Sequence, residues 1–487
     1  MKRILAAALT AVSLSAFAAW ERVGTLQLAD MPSQGEAVGK LGAFIGNPLA
    51  TASMAAVIGD LPTLKFFGPM RPKATMVLAL YVDGEKLAAD SAEALGGLEL
   101  ALLYPVAATK DEFLARHPGA AETNGVVAVK GGFSQKGETV FVAFSKDGRW
   151  AGASDKAERA KLALAEVDVA ERPMDGDIVR LRIDERGFRA VAAALKSVAS
   201  GGAFASDIAL VESYRSLSAG LRVSDAGVDL RGALRFAEGS EAARCGQKPL
   251  GANPLAFAGK SFAASAQAED CGNSQQVAST MWDEIVASLK RGGLDVTTFF
   301  VREKAPWGDR FSIDLAAAVA FFEGGADKAL KGFKAEKFLE DVKALKTEPF
   351  AAKAPPYAQT LDIKGFASEW TAAERFAATL PEASGKRPFA VSFMSVSSIV
   401  KASVAQALKL VPEERREALK PFADQVAVES KCGIASMCWM QNGAQRFFLR
   451  VSADEFRCLG GFFSAAMMFG LGGNAPAAPA ATDDNED

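Results

Sequence analysis

Histidine is almost missing from this sequence of 487 residues: His117 is the only one. One imidazole cannot build a histidine-rich zinc site, and it removes most histidine general-base arrangements. His117 stands just before Pro118-Gly119, where a solvated helix end is expected. A basic excess is missing too. The 55 Lys and Arg face 58 Asp and Glu, a formal charge of −3, and no Arg/Lys stripe is interleaved with aromatics. That balance excludes an electrostatic footprint for nucleic acid. Cysteine is sparse and confined to the C-terminal half, at Cys245, Cys271, Cys432, Cys438 and Cys458. None forms a Cys-x-x-Cys pair, which argues against a thioredoxin-type redox centre and leaves zinc without closely paired thiols.

Long apolar runs are lacking as well. Residues 4–14 are too short for a bilayer, which takes about 20 residues, and residues 459–473 are short and bracketed by glycine. No transmembrane segment is expected. The catalytic signatures with a known mechanism are also absent. There is no Gly-x-Ser-x-Gly elbow, no phosphate-binding Gly-x-x-x-x-Gly-Lys-Ser/Thr loop and no dinucleotide fingerprint. The glycine pairs sit at element ends, where turns and helix caps explain them.

What the chain does have begins at its N-terminus. Lys2 and Arg3, an Ala/Leu-rich run over 4–14, and Ala16-Phe17-Ala18 follow in the order of a secretory signal peptide, with cleavage expected after Ala18. The expected location is the periplasm or exterior of a bacterium. An oxidising compartment permits disulfides, and five cysteines leave at least one thiol unpaired in a monomer. Cys245 and Cys271 flank a connector and suit a local bridge, while one pair can form among Cys432, Cys438 and Cys458. Phenylalanine is abundant, 32 against 4 Tyr and 6 Trp. Phe has no polar handle, so the expectation is a large Phe-packed interior, with an apolar ligand cavity as the alternative.

With 49% hydrophobic and 23% charged residues, the chain is globular, and its length calls for two or more domains. Two stretches repeat one order. Residues 177–184 alternate Val179, Leu181 and Ile183 against Arg180 and Arg182, as a half-buried strand does. A helix over 185–198 follows, then a hairpin of 217–224 and 228–236, with Val228, Leu230, Leu234 and Phe236 on a greasy face and a wet face opposite. Further on, 389–393 is a strand, 396–410 a helix, 412–420 a charged helix, and 433–441 with 444–451 a hairpin around Asn442-Gly443. That turn sets Cys438 opposite Phe447 and Met437 opposite Phe448. Strands are also expected at 73–82, 98–104, 140–144, 150–153, 295–302 and 311–317, and helices at 155–165, 274–290 and 335–345.

The resulting fold class is α+β, two similar halves each with an antiparallel sheet packed against helices. The signal peptide spans 1–18, the first domain 19–245, a linker 246–259, the second domain 260–473, and a disordered acidic tail 474–487. The leader, the doubled strand–helix–hairpin order, the Glu238-Gly239-Ser240 turn and Asn253-Pro-Leu-Ala-Phe257 resemble exported two-repeat bacterial envelope proteins of unknown function. That resemblance implies a periplasmic or surface α+β protein and transfers no catalytic residue.

No catalytic, cofactor-binding or metal-binding residue is assigned. The leading expectation is a non-enzymatic binding or structural protein of the envelope. Two alternatives stand beside it: a carrier of an apolar ligand, and a periplasmic hydrolase using paired carboxylates. Asp225, Asp229 and Glu238 on one hairpin, and Glu269-Asp270 beside Cys271, are the carboxylates considered, although carboxylates beside turns are ordinarily solvated.

Overall fold

The computed structural model describes residues 20–46, 62–88, 98–131, 139–198, 205–244, 247–268, 274–323, 330–344 and 357–468. The leader, the acidic tail, Cys245, Glu269, Asp270 and Cys271 lie outside the described residues. In the first half the strands are β1 (Trp20–Leu28), β2 (Met76–Asp83), β3 (Glu99–Pro105), β4 (Ala121–Thr123) and β5 (Val126–Lys130). They continue as β6 (Thr139–Phe144), β7 (Trp150–Ser154), β8 (Val179–Asp184), β9 (Tyr214–Ser224) and β10 (Gly227–Phe236). The second half adds β11 (Ala263–Gln267), β12 (Phe300–Ala305), β13 (Gly308–Ile313) and β14 (Tyr357–Ile363). It ends with β15 (Pro388–Met394), β16 (Ile434–Gln441) and β17 (Ala444–Ser452).

All of these strands join one sheet. Its hydrogen-bonded order is β4-β5-β6-β7-β3-β2-β1-β8-β9-β10-β17-β16-β15-β11-β14-β13-β12, and only β13–β14 is parallel. The α+β class and the antiparallel sheet are therefore observed. On one side of the centre the order is β2-β1-β8-β9-β10, and on the other it is β14-β11-β15-β16-β17. Two helices separate β8 from β9, and two separate β15 from β16. At the centre β10 and β17 pair antiparallel from Gly227↔Ser452 to Arg235↔Ala444, so one ladder welds the two halves.

The helices that matter here are α1 (Met31–Ile45), α2 (Ala157–Ala163), α3 (Glu185–Val198), α4 (Ser274–Arg291), α5 (Ala372–Thr379), α6 (Val396–Leu410), α7 (Glu413–Val426) and α8 (Ala453–Met468). Their ends follow from local chemistry. Asp30 accepts the Ser33 amide to start α1, and Gly46 closes it in the left-handed region. Thr371 and Glu374 form a reciprocal capping box at α5. The 311–317 stretch is not one strand: β13 stops at Ile313, and Asp314 accepts the Ala317 amide at 3.0 Å, starting the helix Leu315–Glu323. Helices α1 and α8 cross the halves, with Phe44 stacked on Phe456 at 6.1 Å. Gly460 allows that approach, because a Cβ there would run into the Ile45 carbonyl.

The Asn442-Gly443 turn has φ of 51° and 68°, the pair of positive values a type I′ turn demands. It fixes the register expected from the sequence, with Cys438↔Phe447 and Met437↔Phe448. The two faces of β10 are otherwise than expected. Asp229 is buried at 5% exposure, whereas Leu230 is 37% exposed. Asp229 goes inside because Arg450 meets it with two bonds of 2.6 and 2.9 Å, and Arg450 also holds Glu382 at 2.9 and 3.1 Å. This triad sits on the seam between halves. Asp229→Ala would leave Arg450 with the half-exposed Glu382 as its counter-charge and the Thr379 carbonyl at 3.3 Å. A loss of about 2 kcal/mol is expected from removing charged hydrogen bonds, read as a lower urea midpoint.

Phenylalanine does build cores. Phe66, Phe67, Phe113 and Tyr104 cluster at one end of the sheet, and Phe376 and Phe393 pack with Leu255, Val391 and Met437 toward the other. His117 caps the helix Lys110–Arg116 at an exposed helix end and is itself half-buried. Its ring rests on Phe66 and Phe113 at 4.8 and 4.5 Å, and Nε2 bonds the Phe66 carbonyl at 2.9 Å.

Cys432, Cys438 and Cys458 are all free thiols, so the expected pair among them does not form. They sit on separate elements. Cys438 is in the middle of β16, Cys432 lies in the turn before it, and Cys458 packs beside Val400 and Val426. Burial pushes the Cys438 thiol pKa up and that of Cys458 up to about 11, which keeps both protonated. No helix among the described residues is long and apolar enough to cross a membrane.

A second polar network lies wholly inside. Arg375 is 0% exposed and bonds Glu429 at 3.0 Å, Ser368 at 2.8 Å, Ser398 at 2.7 Å, the Ser430 carbonyl at 2.7 Å and Ser395. Glu455, also fully buried, takes the Ser397 amide at 3.0 Å and the Ser397 hydroxyl at 3.3 Å. The network ties α5, the start of α6, the strand-side loop at Glu429 and the start of α8 into one unit.

Candidate functional site

Alternate residues of a strand share a face, so the register converts the central strands into rows of side chains. On the face that carries Asp229, one row runs Arg180–Gly220–Arg231 across β8, β9 and β10. Its charges are matched. Arg180 clasps Asp177 Oδ2 at 2.9 and 3.1 Å, and Arg231 takes Oδ1 at 2.9 and 3.2 Å. Gly220 makes room, since a Cβ there would collide with the Asp177 carboxylate. The next row is Arg222–Asp229–Arg450, in which Asp229 and Glu382 match Arg450 as described above, while the exposed Arg222 has no carboxylate partner among the described residues.

On the other side of the Arg180 row the pattern changes. Arg182, Ser218, Ala233 and Arg446 stand side by side across β8, β9, β10 and β17, with Arg235 one step along β10. Small residues form the floor and guanidinium groups form the walls of a groove of about 400 Å³, to which Arg22 and Arg172 also contribute. Arg22 is held by Glu166 at 2.8 Å. Among the described residues, Arg172, Arg182, Arg235 and Arg446 have no carboxylate partner, and the buried Nε of Arg446 has no hydrogen-bond partner at all. The one acid in the lining is Asp184, whose Oδ1 accepts the Gly187 amide at 3.2 Å.

Electrostatics follow from that geometry. Burial, then the positive charges of Arg172, Arg180 and Arg22, pull the Arg182 pKa below its ordinary value. The groove is thus a concentrated positive field in a chain whose formal charge is −3. Such an arrangement binds anions through forked, charge-assisted hydrogen bonds to phosphate or carboxylate oxygens.

The carboxylates weighed from the sequence are not brought together. Asp225 lies in the turn at one end of β10, pairing with Lys40 at 3.3 Å, while Glu238 is exposed beyond the other end. Asp229 is consumed by Arg450. Nothing in the sequence groups Arg22, Arg172, Arg182, Arg235 and Arg446, because four separated stretches of the chain supply them. The legible signal is the alternation of arginine along single strands, at 180 and 182, 231 and 235, and 446 and 450.

No family model matches the chain, and no curated protein matches it. Solved structures of TP0453 show a slight likeness. Crystal form I is 10% identical with a TM-score of 0.21, covering 45% of this chain and 77% of that one. Crystal form III is 11% identical with a TM-score of 0.19, covering 45% and 78%. A likeness at that level fixes neither the fold nor the function of this chain.

Proposed function

We propose that this chain is an exported, non-enzymatic binding protein of the bacterial envelope that holds an anionic ligand in the arginine groove. The observation that carries the reading is the groove itself: Arg172, Arg182, Arg235 and Arg446 converge on one lining without a carboxylate partner among the described residues, whereas Arg180, Arg231 and Arg450 beside it are each matched by one. Unpaired like charges destabilise a fold, so a groove that gathers four of them is a groove awaiting counter-charge. The two corresponding strand orders support a further part of the proposal, that the halves are copies of one module joined edge to edge through β10 and β17. The leader sequence supports export. The mixed lining of the groove favours an anion over the apolar-ligand carrier, whose cavity would be lined by Phe, Met and Leu.

Isothermal titration of the full chain with citrate and with inorganic tripolyphosphate at low ionic strength tests the reading, the two probes separating carboxylate from phosphate preference. Binding of one or both is expected, weakening as salt is raised. Replacing Arg182 and Arg446 together by Gln should cost about 100-fold in affinity, at about 1.5 kcal/mol for each charged hydrogen bond lost. Thermal stability should hold or rise, because repulsion is relieved. Equal affinity of wild type and variant, or no binding of either probe, would sink the proposal.

A further inference from the structure

Toward the other end of the sheet lies a larger cavity of about 660 Å³, built on β12, β13 and β14 and the loops at 257–261 and 363–367. The register sets Glu303, Arg310 and Thr360 side by side in one row, and Val301, Ser312 and Asp362 in the next. Phe257 and Trp307 form an aromatic wall, with ring centroids 4.8 Å apart and planes tilted by 40°.

Thr360 is the informative residue. It is 3% exposed, and its Oγ1 has no hydrogen-bond partner. Buried hydroxyls without partners are rare, and one in the lining of a roomy cavity points to a ligand atom that completes it. Other bonding capacity is unspent beside it. Arg310 uses Nε on Asp362 at 2.7 Å, and Glu303 and Lys260 have no ion-pair partner among the described residues.

We propose that this cavity binds a saccharide, its ring face against Trp307 and its hydroxyls on Glu303, Arg310 and Thr360. A hydroxyl group both donates and accepts, so neighbouring hydroxyls can give to the Glu303 carboxylate while accepting from Arg310. The carboxylates of Glu303 and Asp362 disfavour an anion here, and Arg310, Lys260 and Lys364 disfavour a cation. A neutral polyhydroxylated ring satisfies both sets and also offers an apolar C–H face to the indole. The site uses different strands from the arginine groove, so each stands or falls separately.

The test is titration of the full chain with glucose, N-acetylglucosamine and their β-1,4-linked disaccharides, followed by calorimetry and tryptophan emission. At least one sugar should bind saturably and shift the emission. Trp307→Phe should abolish the emission change. Thr360→Val should weaken binding about tenfold, the scale of one lost hydrogen bond, at an unchanged melting temperature, since valine fills the same space and needs no partner. Glu303→Gln should weaken it by a similar factor. No saturable heat from any of the four sugars at about 10 mM, weaker than the affinity range a built site supplies, overturns the proposal. So does wild-type affinity in both Thr360→Val and Glu303→Gln.

Discussion

Replacing Arg375 by Met should destabilise the protein by about 3–5 kcal/mol, the scale for breaking a buried ion pair by removing one partner. The reason is not the loss of a contact alone. Arg375 and Glu429 are both 0% exposed, and the guanidinium is the main counter-charge inside the network. Burial pushes the Glu429 carboxyl up, but hydrogen bonds from Ser368, Ser398 and Lys401 and the charge of Arg375 outweigh it and hold the pKa below its ordinary value. Without Arg375 only Lys401, at 3.2 Å and partly open to solvent, still faces that carboxylate with a charge. Met keeps most of the volume, so the loss reports charge rather than cavity. The double variant Arg375→Met with Glu429→Gln should recover part of the loss, because no charge is then left stranded. Urea unfolding of wild type, single and double variants decides it. A loss below about 1 kcal/mol in the single variant, typical of a solvent-exposed pair, would show that Arg375 does not hold a buried charge in check.

The legible parts of this fold were those set by local chemistry. The Asn442-Gly443 turn dictated its own hairpin, and alternation marked β8 and both arms of β9–β10. Strand β11 was illegible because Ala263–Gln267 reads Ala-Ala-Ser-Ala-Gln, with none of the branched or aromatic residues that favour strands. It is a strand because its small side chains fit beneath α5 and between β14 and β15, which is tertiary context. Strand β1 escaped notice beside the expected cleavage point, though it forms ladders with both β2 and β8. Alternation also reveals that a strand has two faces without saying which is inside. For β10 the answer lay in Arg450, 221 residues away, which turns Asp229 into an interior residue. The groove was hidden for the same reason: register assembles it, and register between distant strands is not written in any one segment.

Between pH 4.5 and 7 the wild type should lose about 3 kcal/mol of stability through one residue, Glu455. Burial pushes its pKa from 4.5 up to about 7, against the Ser397 amide and the charge of Arg375, which both pull it down. A carboxyl with a raised folded-state pKa holds its proton more tightly when folded. Its contribution is therefore complete below the unfolded value, declines as pH rises, and is gone above the folded value. At 1.36 kcal/mol per pH unit, a shift of this size gives about 3 kcal/mol. Glu429, in the same network, has the opposite sign: its pKa is depressed, so its contribution is present above its unfolded value and lost in acid. The two windows meet near pH 4.5 and do not overlap, which leaves Glu455 in control on the neutral side. Glu455→Gln keeps the shape and removes the titration. Its stability relative to wild type should rise from pH 5 to about pH 7 and level off by pH 8, measured as urea midpoints at each pH. Parallel curves for the two proteins across that range would mean that Glu455 ionises in the folded state as readily as it does in water, and that the serines of α6 and the Arg375 guanidinium solvate it fully.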